Sequence, residues 1–364
     1  MDFNIHDEAG TWIGMIESPT SAIWTERYNT PGEFEIYTPA TQELFELLLP
    51  GRYDGTARAA APIETVHFIT RPDRNTVMIV ERIELKTDDE EDDFIRIKGR
   101  AASCLLDRRI VWKQTSLSGR VDRAIYRLVR ENAINPENEA RRLPLLMDAP
   151  DVLADTISAQ YTGAGLLEAV EDIAAAYGLG FRVVTDSRSI ITLRLELYKG
   201  ADKSLAQTAN SPVIFSPDFE NLSASAYAFD MEKYKNVALV AGEGEGTARK
   251  QAAQGQAAGM ARREMYVDAR DMSTNDGEIS EEDYTAQLKA RGEEKLAESD
   301  AAEAFSGEAD TGNTFEIGVD YDVGDIVTVV NEYGVRADAR VSDISECWDE
   351  SGYSTDCVFE GLEG

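Results

Sequence analysis

The sequence predicts a β-rich α+β chain built from two small β-barrels, an intervening α/β domain and a helical insertion. Three observations predict it. Short runs of alternating apolar and polar residues, bounded by Gly, Pro, Asn and Asp, fill both ends of the chain. Two such runs overlay on each other 261 residues apart. Between them the apolar spacing changes from two to the period of a helix. A length of 364 residues and a hydrophobic content of 43% allow two to four compact units.

Residues 1–110 read as the first barrel. Trp12–Ile16 follows the turn Glu8-Ala9-Gly10. Ile23–Tyr28 and Phe34–Tyr37 flank Asn29-Thr30-Pro31-Gly32, where Pro and Gly force a reversal. Thr41 is placed to cap a helix over Gln42–Leu49. Strands over Thr65–Thr70, Val77–Leu85 and Phe94–Lys98 follow. The last two are joined by an acidic loop, Thr87 to Asp93. It lacks the glycine and spacing of a calcium loop and reads as a solvated hairpin tip, with a divalent-ion site as the alternative.

Residues 111–199 read as the α/β domain. Arg120–Glu131 carries Val121, Ile125, Leu128 and Val129 on one helical face. Gly165–Tyr177 carries Leu166, Leu167, Val170 and Ile173, and Gly178 ends it. Both stripes read as core faces. Strands over Phe181–Thr185 and Ile190–Tyr198 complete the unit.

Residues 200–240 and 304–364 read as the second barrel. It starts with Val213–Phe215 and Asn236–Val240, and has later turns at Tyr321-Asp322-Val323-Gly324, Tyr333-Gly334 and Ser351-Gly352. Residues 241–303 read as a mainly helical peripheral insertion, interrupted by a strand over Arg263–Ala269. Ser280-Glu281-Glu282-Asp283 resembles a capping box that starts a helix running to about Ser299. Gly242-Glu243-Gly244-Glu245-Gly246 has the glycines of a phosphate cradle, but its carboxylates would oppose the anion. It reads as a flexible loop.

The repeat places Val66 on Val327, Phe68 on Val329, Val80 on Val341 and Ile83 on Ile344. Each copy then ends in a strand before glycine, at Gly99 and at Gly361, the second with one extra residue. Either the chain holds two similar barrels or the match is the alternation common to all β-hairpins. Two barrels per chain around a threefold axis give six walls, which would match a sixfold partner by pseudo-symmetry.

Charge excludes several functions. Lys and Arg total 36 and Asp and Glu 68, a net charge of −32. Such a surface repels phosphate backbones and anionic membranes. The acid is spread along the chain, so it reads either as a coat that lets polyanions pass or as adaptation to high salt. No apolar run approaches the ~18–20 residues of a membrane span, and the first residues lack a signal-peptide profile.

No residue is assigned a catalytic, cofactor-binding or metal-binding role. The two histidines, His6 and His67, sit in strand-like segments away from any nucleophile motif. Cys104 reads as core. Cys347 and Cys357 flank a turn and read as small apolar strand residues, with a cross-strand disulfide as the alternative.

One segment resembles a known family. Trp24-Thr25-Glu26-Arg27-Tyr28-Asn29-Thr30-Pro31-Gly32-Glu33-Phe34-Glu35-Ile36-Tyr37 is similar to the opening signature of the tail-hub proteins of long-tailed phages. Leu105-Leu106-Asp107-Arg108-Arg109-Ile110, Tyr234-Lys235-Asn236-Val237-Ala238-Leu239-Val240 and Val323-Gly324-Asp325-Ile326-Val327 follow in the family's order, over nearly the whole chain. The resemblance implies a structural virion protein without enzymatic activity or cofactor, made in the host cytoplasm. It implies a homotrimeric baseplate hub at the tail tip, with two tube-type barrels per chain. The implied partners are the distal tail protein, the tape-measure protein and tail fibre or tip proteins, with DNA crossing the lumen without specific binding. Some relatives append a peptidoglycan-cleaving domain. This chain ends at Gly364, just past the second barrel, and none is expected. The competing expectations are a cell-envelope hydrolase using paired carboxylates and an adhesin using exposed Trp348 and Tyr353.

Overall fold

The computed structural model describes residues 1–49, 66–87, 93–186, 191–275, 277–299, 302–309 and 314–362. Alternation builds the first region. Strands β1 (Phe3–His6), β2 (Trp12–Ile16), β3 (Ser21–Arg27) and β4 (Glu33–Pro39) turn Phe3, Ile5, Ile16, Trp24, Phe34 and Ile36 into one core. Helix α1 (Gln42–Leu48) begins where the Leu44 N–H donates to Thr41 Oγ1 at 3.2 Å, as the cap predicts. Strands β5 (Phe68–Thr70), β6 (Val77–Lys86) and β7 (Phe94–Ala101) add Ile69, Met78, Ile95 and Ile97 to the same core. The acidic segment 88–92 lies outside the described residues.

The α/β region contains β8 (Thr115–Arg120), α2 (Val121–Val129), β9 (Leu145–Leu146), β10 (Thr156–Tyr161), α3 (Leu166–Ala176), β11 (Gly180–Val184) and β12 (Leu193–Tyr198). Both predicted helical stripes lie in one core. Gly178, at φ +59°, lets the chain leave α3.

Strands β13 (Ile214–Phe215) and β14 (Leu222–Asp230) come next. Then β15 (Val237–Ala241), β16 (Gln251–Gln254) and β17 (Glu264–Asp268) form a separate three-stranded sheet, with β15 in the centre. Helix α4 (Glu281–Ala297), capped by Ser280, packs Tyr284 and Leu288 on Ala238 and Val240. This corrects two expectations. The strand read over Asn236–Val240 pairs with β16 and β17, not with the second β region, and the segment 241–303 is sheet plus helix. The Gln-Ala-Ala-Gln sequence of β16 carries no β-branched residue, so its strand state comes from pairing, not propensity.

The chain closes with β18 (Ala302–Ala309), β19 (Ile326–Val330), β20 (Arg336–Asp349) and β21 (Gly352–Gly361). These strands join the first region in one 13-stranded sheet, ordered β14-β18-β21-β20-β3-β4-β7-β6-β5-β1-β2, with β13 and β19 attached through β20. A second core fills its C-terminal part, with Phe215, Tyr321, Val327, Val341 and Phe359.

The repeat has a geometric counterpart. The β6–β7 ladder pairs Val80 with Gly99 and then jumps to Arg82 with Lys98. The β20–β21 ladder pairs Val341 with Phe359 and then jumps to Asp343 with Val358. The same bulge therefore falls 261 residues apart, and a bulge is a specific device for bending a sheet. The preceding strands keep a different offset. Phe68 faces Ile79 and Ile326 faces Arg340, so β5 matches β19 at 258 residues. The gapless overlay of Phe68 on Val329 is off by three, because the connections between the strands differ in length.

The cysteines remain free thiols. Cys347 faces Ser354 and Cys357 faces Ile344. Their parity along the hairpin puts them on opposite sheet faces, which excludes the cross-strand disulfide.

Buried Asp122 fixes the start of α2. Its carboxylate accepts from the N–H groups of Arg123, Val152 and Leu153 at 2.7, 2.8 and 3.2 Å and pairs with Arg120 at 2.6 Å. Burial opposes its ionisation, but these partners outweigh burial and hold the carboxyl at about 2. A depressed carboxyl stabilises the fold above its unfolded pKa near 3.9 and loses that contribution as pH falls towards 2. Asp122→Asn is expected to cost about 2 kcal/mol at pH 7 and little at pH 2, by urea unfolding at both values.

Candidate functional site: the join between the two β regions

The two β regions meet where β3 runs antiparallel to β20, from Ala22 opposite Trp348 to Arg27 opposite Asp343. Polar side chains line the seam. Thr25 Oγ1 and Ser345 Oγ lie 2.8 Å apart, and Arg27 Nε donates to Asp343 at 2.9 Å. Beside them Arg71, from the loop after β5, is 1% exposed. It donates to both oxygens of buried Glu346, at 2.5 and 3.0 Å, and to Asp73. Its guanidinium lies 5.5 Å from the ring of Trp24 and 4.6 Å from that of Trp348. Tyr353 OH donates to Glu346 at 2.9 Å. Burial alone would lower the Arg71 pKa; hydrogen bonds and charge from Glu346 and Asp73 raise it instead.

A second tether binds the α/β region to the seam. The Tyr28 N–H donates to Ser342 C=O at 2.9 Å, the Phe181 N–H donates to Tyr28 C=O at 3.0 Å, and Tyr28 OH donates to Gly178 C=O at 2.9 Å. Its ring wedges between Gly180 and Gly324. A Cβ on either glycine would lie 2.4 Å from that ring, and Gly324 also needs φ +96°.

The residues singled out from sequence take structural positions. Buried His6 lies 3.0 Å from Thr70 Oγ1 and 3.3 Å from Gly10 C=O, and His67 Nε2 is 3.0 Å from Leu48 C=O. Burial lowers both pKa values and favours neutral imidazoles. Burial pushes the Cys104 and Cys357 thiols up to about 12. The 242–246 loop is pinned, correcting the expectation of a flexible one. Glu243 accepts from the Thr274 N–H and Oγ1 at 3.0 and 2.9 Å, and its own N–H donates to Tyr284 OH at 2.8 Å. Trp348 and Tyr353 pack against each other at 5.4 Å with their rings tilted by 36°, and Trp348 covers Arg71. Among the described residues, no group of three or more His, Cys, Asp or Glu side chains is placed to hold a metal ion, and no helix is long and apolar enough to cross a membrane.

Sequence reasoning missed Arg71 and Glu346. They lie 275 residues apart, and an arginine beside Pro72-Asp73 looks like any solvated loop residue. No local signal could have paired them.

This arrangement joins β regions, and its fold is that of phage tail proteins. It matches the 43 kDa tail protein of prophage MuSo2 from Shewanella oneidensis with a TM-score of 0.56, at 11% identity, over 99% of this chain and 98% of that one. A tail protein from Neisseria meningitidis MC58 gives 0.56 at 13% identity, over 98% and 96%. Prophage tail protein gp18 from Listeria monocytogenes EGD-e gives 0.52 at 10% identity, over 100% and 95%. Across residues 2–359 the sequence matches the family model of the siphovirus ReqiPepy6 Gp37-like protein, and the chain belongs to that family. It is thus a tail component of siphovirus type, in line with the resemblance read from Trp24–Tyr37. No curated protein matches the chain.

Neutralising Glu346 removes the buried member of the Arg71 network and leaves half-exposed Asp73 as the remaining carboxylate on that guanidinium. With Asp73 still bound to Arg71, Glu346→Gln is expected to destabilise the chain by about 2–3 kcal/mol in urea unfolding. Asp73→Asn, at a half-exposed partner of the same arginine, is expected to cost about 1 kcal/mol or less.

Proposed function

We propose that this chain is the hub of a siphovirus tail tip, acting as a homotrimer that closes the distal end of the tail tube. One observation carries the reading: the same bulged hairpin occurs on both sides of the β3–β20 seam, in β6–β7 and in β20–β21. Each chain then contributes two similar small barrels, and three chains contribute six walls. Such a ring presents a pseudo-sixfold rim to a sixfold tube, and closed rings are the normal product of head-to-tail packing.

The sheet ends support assembly. Among the described residues, the hydrogen-bonded path stops at β2 and β14, and both edges carry exposed apolar side chains, Trp12 and Met15 on one and Phe229 on the other. Open strand edges of this kind invite pairing with another chain. Residues 1–110 form one barrel domain. Segments 200–240 and 304–364 form the other, except that β15 joins the insertion. The α/β domain 111–199 and the insertion 241–303 face outwards and meet the distal tail, tape-measure and fibre or tip proteins. The hub organises these partners and does no chemistry. It is made in the host cytoplasm and incorporated at the tail tip. Three chains of −32 each surround the DNA with like charge, which acts within ~8–10 Å at moderate salt and lets the genome slide.

Native mass spectrometry and negative-stain imaging of the purified chain test this reading. The expected species has three times the 40.1 kDa chain mass and a central opening. A monomer at every concentration, unchanged on adding distal tail protein, contradicts it.

A further inference from the structure

In a chain with 68 carboxylate side chains and 36 Lys and Arg, most described arginines have a carboxylate within 4.0 Å. Arg108, Arg109 and Arg141 have none among the described residues, and they share one surface cavity. Neutral groups hold two of these side chains. Arg109 donates to the carbonyls of Arg141 and Arg108, at 2.5 and 2.8 Å, and Arg141 donates to Ile110 C=O at 2.7 Å. Arg141 also lies 4.9 Å from the Trp112 ring. Carbonyls and an indole orient a guanidinium without cancelling its charge. The three cations stay close together, and burial followed by the charges of Arg141 and Arg108 lowers the Arg109 pKa.

The cavity measures about 340 Å³. Its other walls include Trp112 and Ile110, which are 63% and 42% exposed, and Asn138. Asp107 also lines it, but its carboxylate already accepts from Arg100 at 3.4 Å. Exposed Glu139 sits 3.9 Å from Arg142. The arrangement is a fork of positive charge beside a flat apolar platform, on a molecule whose overall field repels anions. A polyphosphate chain would meet that repulsion along its whole length. A single carboxylate on a peptide brings one charge, and its apolar neighbour suits the platform.

We propose that the cavity between Arg108, Arg109, Arg141 and Trp112 is a docking site for an acidic side chain of a partner protein, with an adjacent apolar residue seated on Trp112 and Ile110. Guanidinium forks match carboxylate geometry, and a hydrogen bond between charged groups is stronger than one between neutral groups. The site does not depend on the oligomeric state proposed above.

The test uses the full chain and two capped dipeptides, acetyl-Glu-Leu-amide and acetyl-Gln-Leu-amide, with inorganic phosphate as a third probe. Tryptophan emission is read against Trp112→Phe, which isolates the local reporter from the other tryptophans. The Glu peptide is expected to give a saturable change that weakens with salt. Arg108→Gln is expected to reduce its affinity about tenfold. The Arg108 side chain makes none of the carbonyl contacts that position the loop (its backbone C=O accepts from Arg109 and is kept in the variant), so Arg108→Gln changes charge without removing them; an unchanged melting curve checks this. Arg109→Gln is expected to abolish the response. The proposal is overturned by no saturable response to the Glu peptide or by equal responses to both peptides. It is also overturned by tighter binding of phosphate than of the Glu peptide, or by unchanged affinity in Arg108→Gln.

Discussion

Everything else in this molecule depends on the pairing of β3 with β20. It turns two β regions, separated in sequence by the α/β region, into one sheet with a core on each side of the seam. Backbone pairing alone would leave the register free to slip. The buried Arg71–Glu346 pair removes that freedom. A one-residue shift would move Glu346 to the opposite sheet face and leave Arg71 with only the half-exposed Asp73, a larger penalty than losing one ladder hydrogen bond. Trp24 and Trp348 exclude water from the pair and take up the guanidinium on their faces.

The other regions attach to this frame without sharing its sheet. Tyr28 reaches from the end of β3 into the α/β region and is clasped by glycines that only a bare Cα allows. Helix α4 reaches the same region from the far side, where Tyr161 OH donates to Glu294 at 3.1 Å and Lys295 pairs with Asp172 at 3.1 Å. The result is one continuous sheet in contact with the α/β region, which in turn contacts the three-stranded sheet and its helix. Buried polar groups form joints between the regions, and both histidines are held by structural contacts. The chain belongs to a siphovirus tail-protein family and shares the fold of tail proteins.

What could be read from sequence was local. The Thr41 and Ser280 caps, the stripes of α2 and α3 and the turn at Gly178 follow from spacing within a few residues, and the structure places them there. The matching hairpins were legible because Val80, Ile83, Val341 and Ile344 keep their spacing around the bulge. The register of the strand before them was not, because pairing depends on a connection whose geometry sequence does not encode. The cysteine question turned on the same point: once Asp349 faces Gly352, Cys347 must face Ser354. The Ala- and Gln-rich β16 looked helical because only its partners make it a strand. The Arg71–Glu346 pair left no local trace.

The central claim is that the β3–β20 seam is as stable as the cores it joins. Native-state amide hydrogen exchange on the full chain measures this directly, with peptides covering 22–27 and 343–348 compared with those covering β6 and β7. The account predicts that seam amides open only with the flanking cores, at the same free energy. Seam amides that exchange early while both cores stay protected would show two independent β regions in contact, and would contradict it.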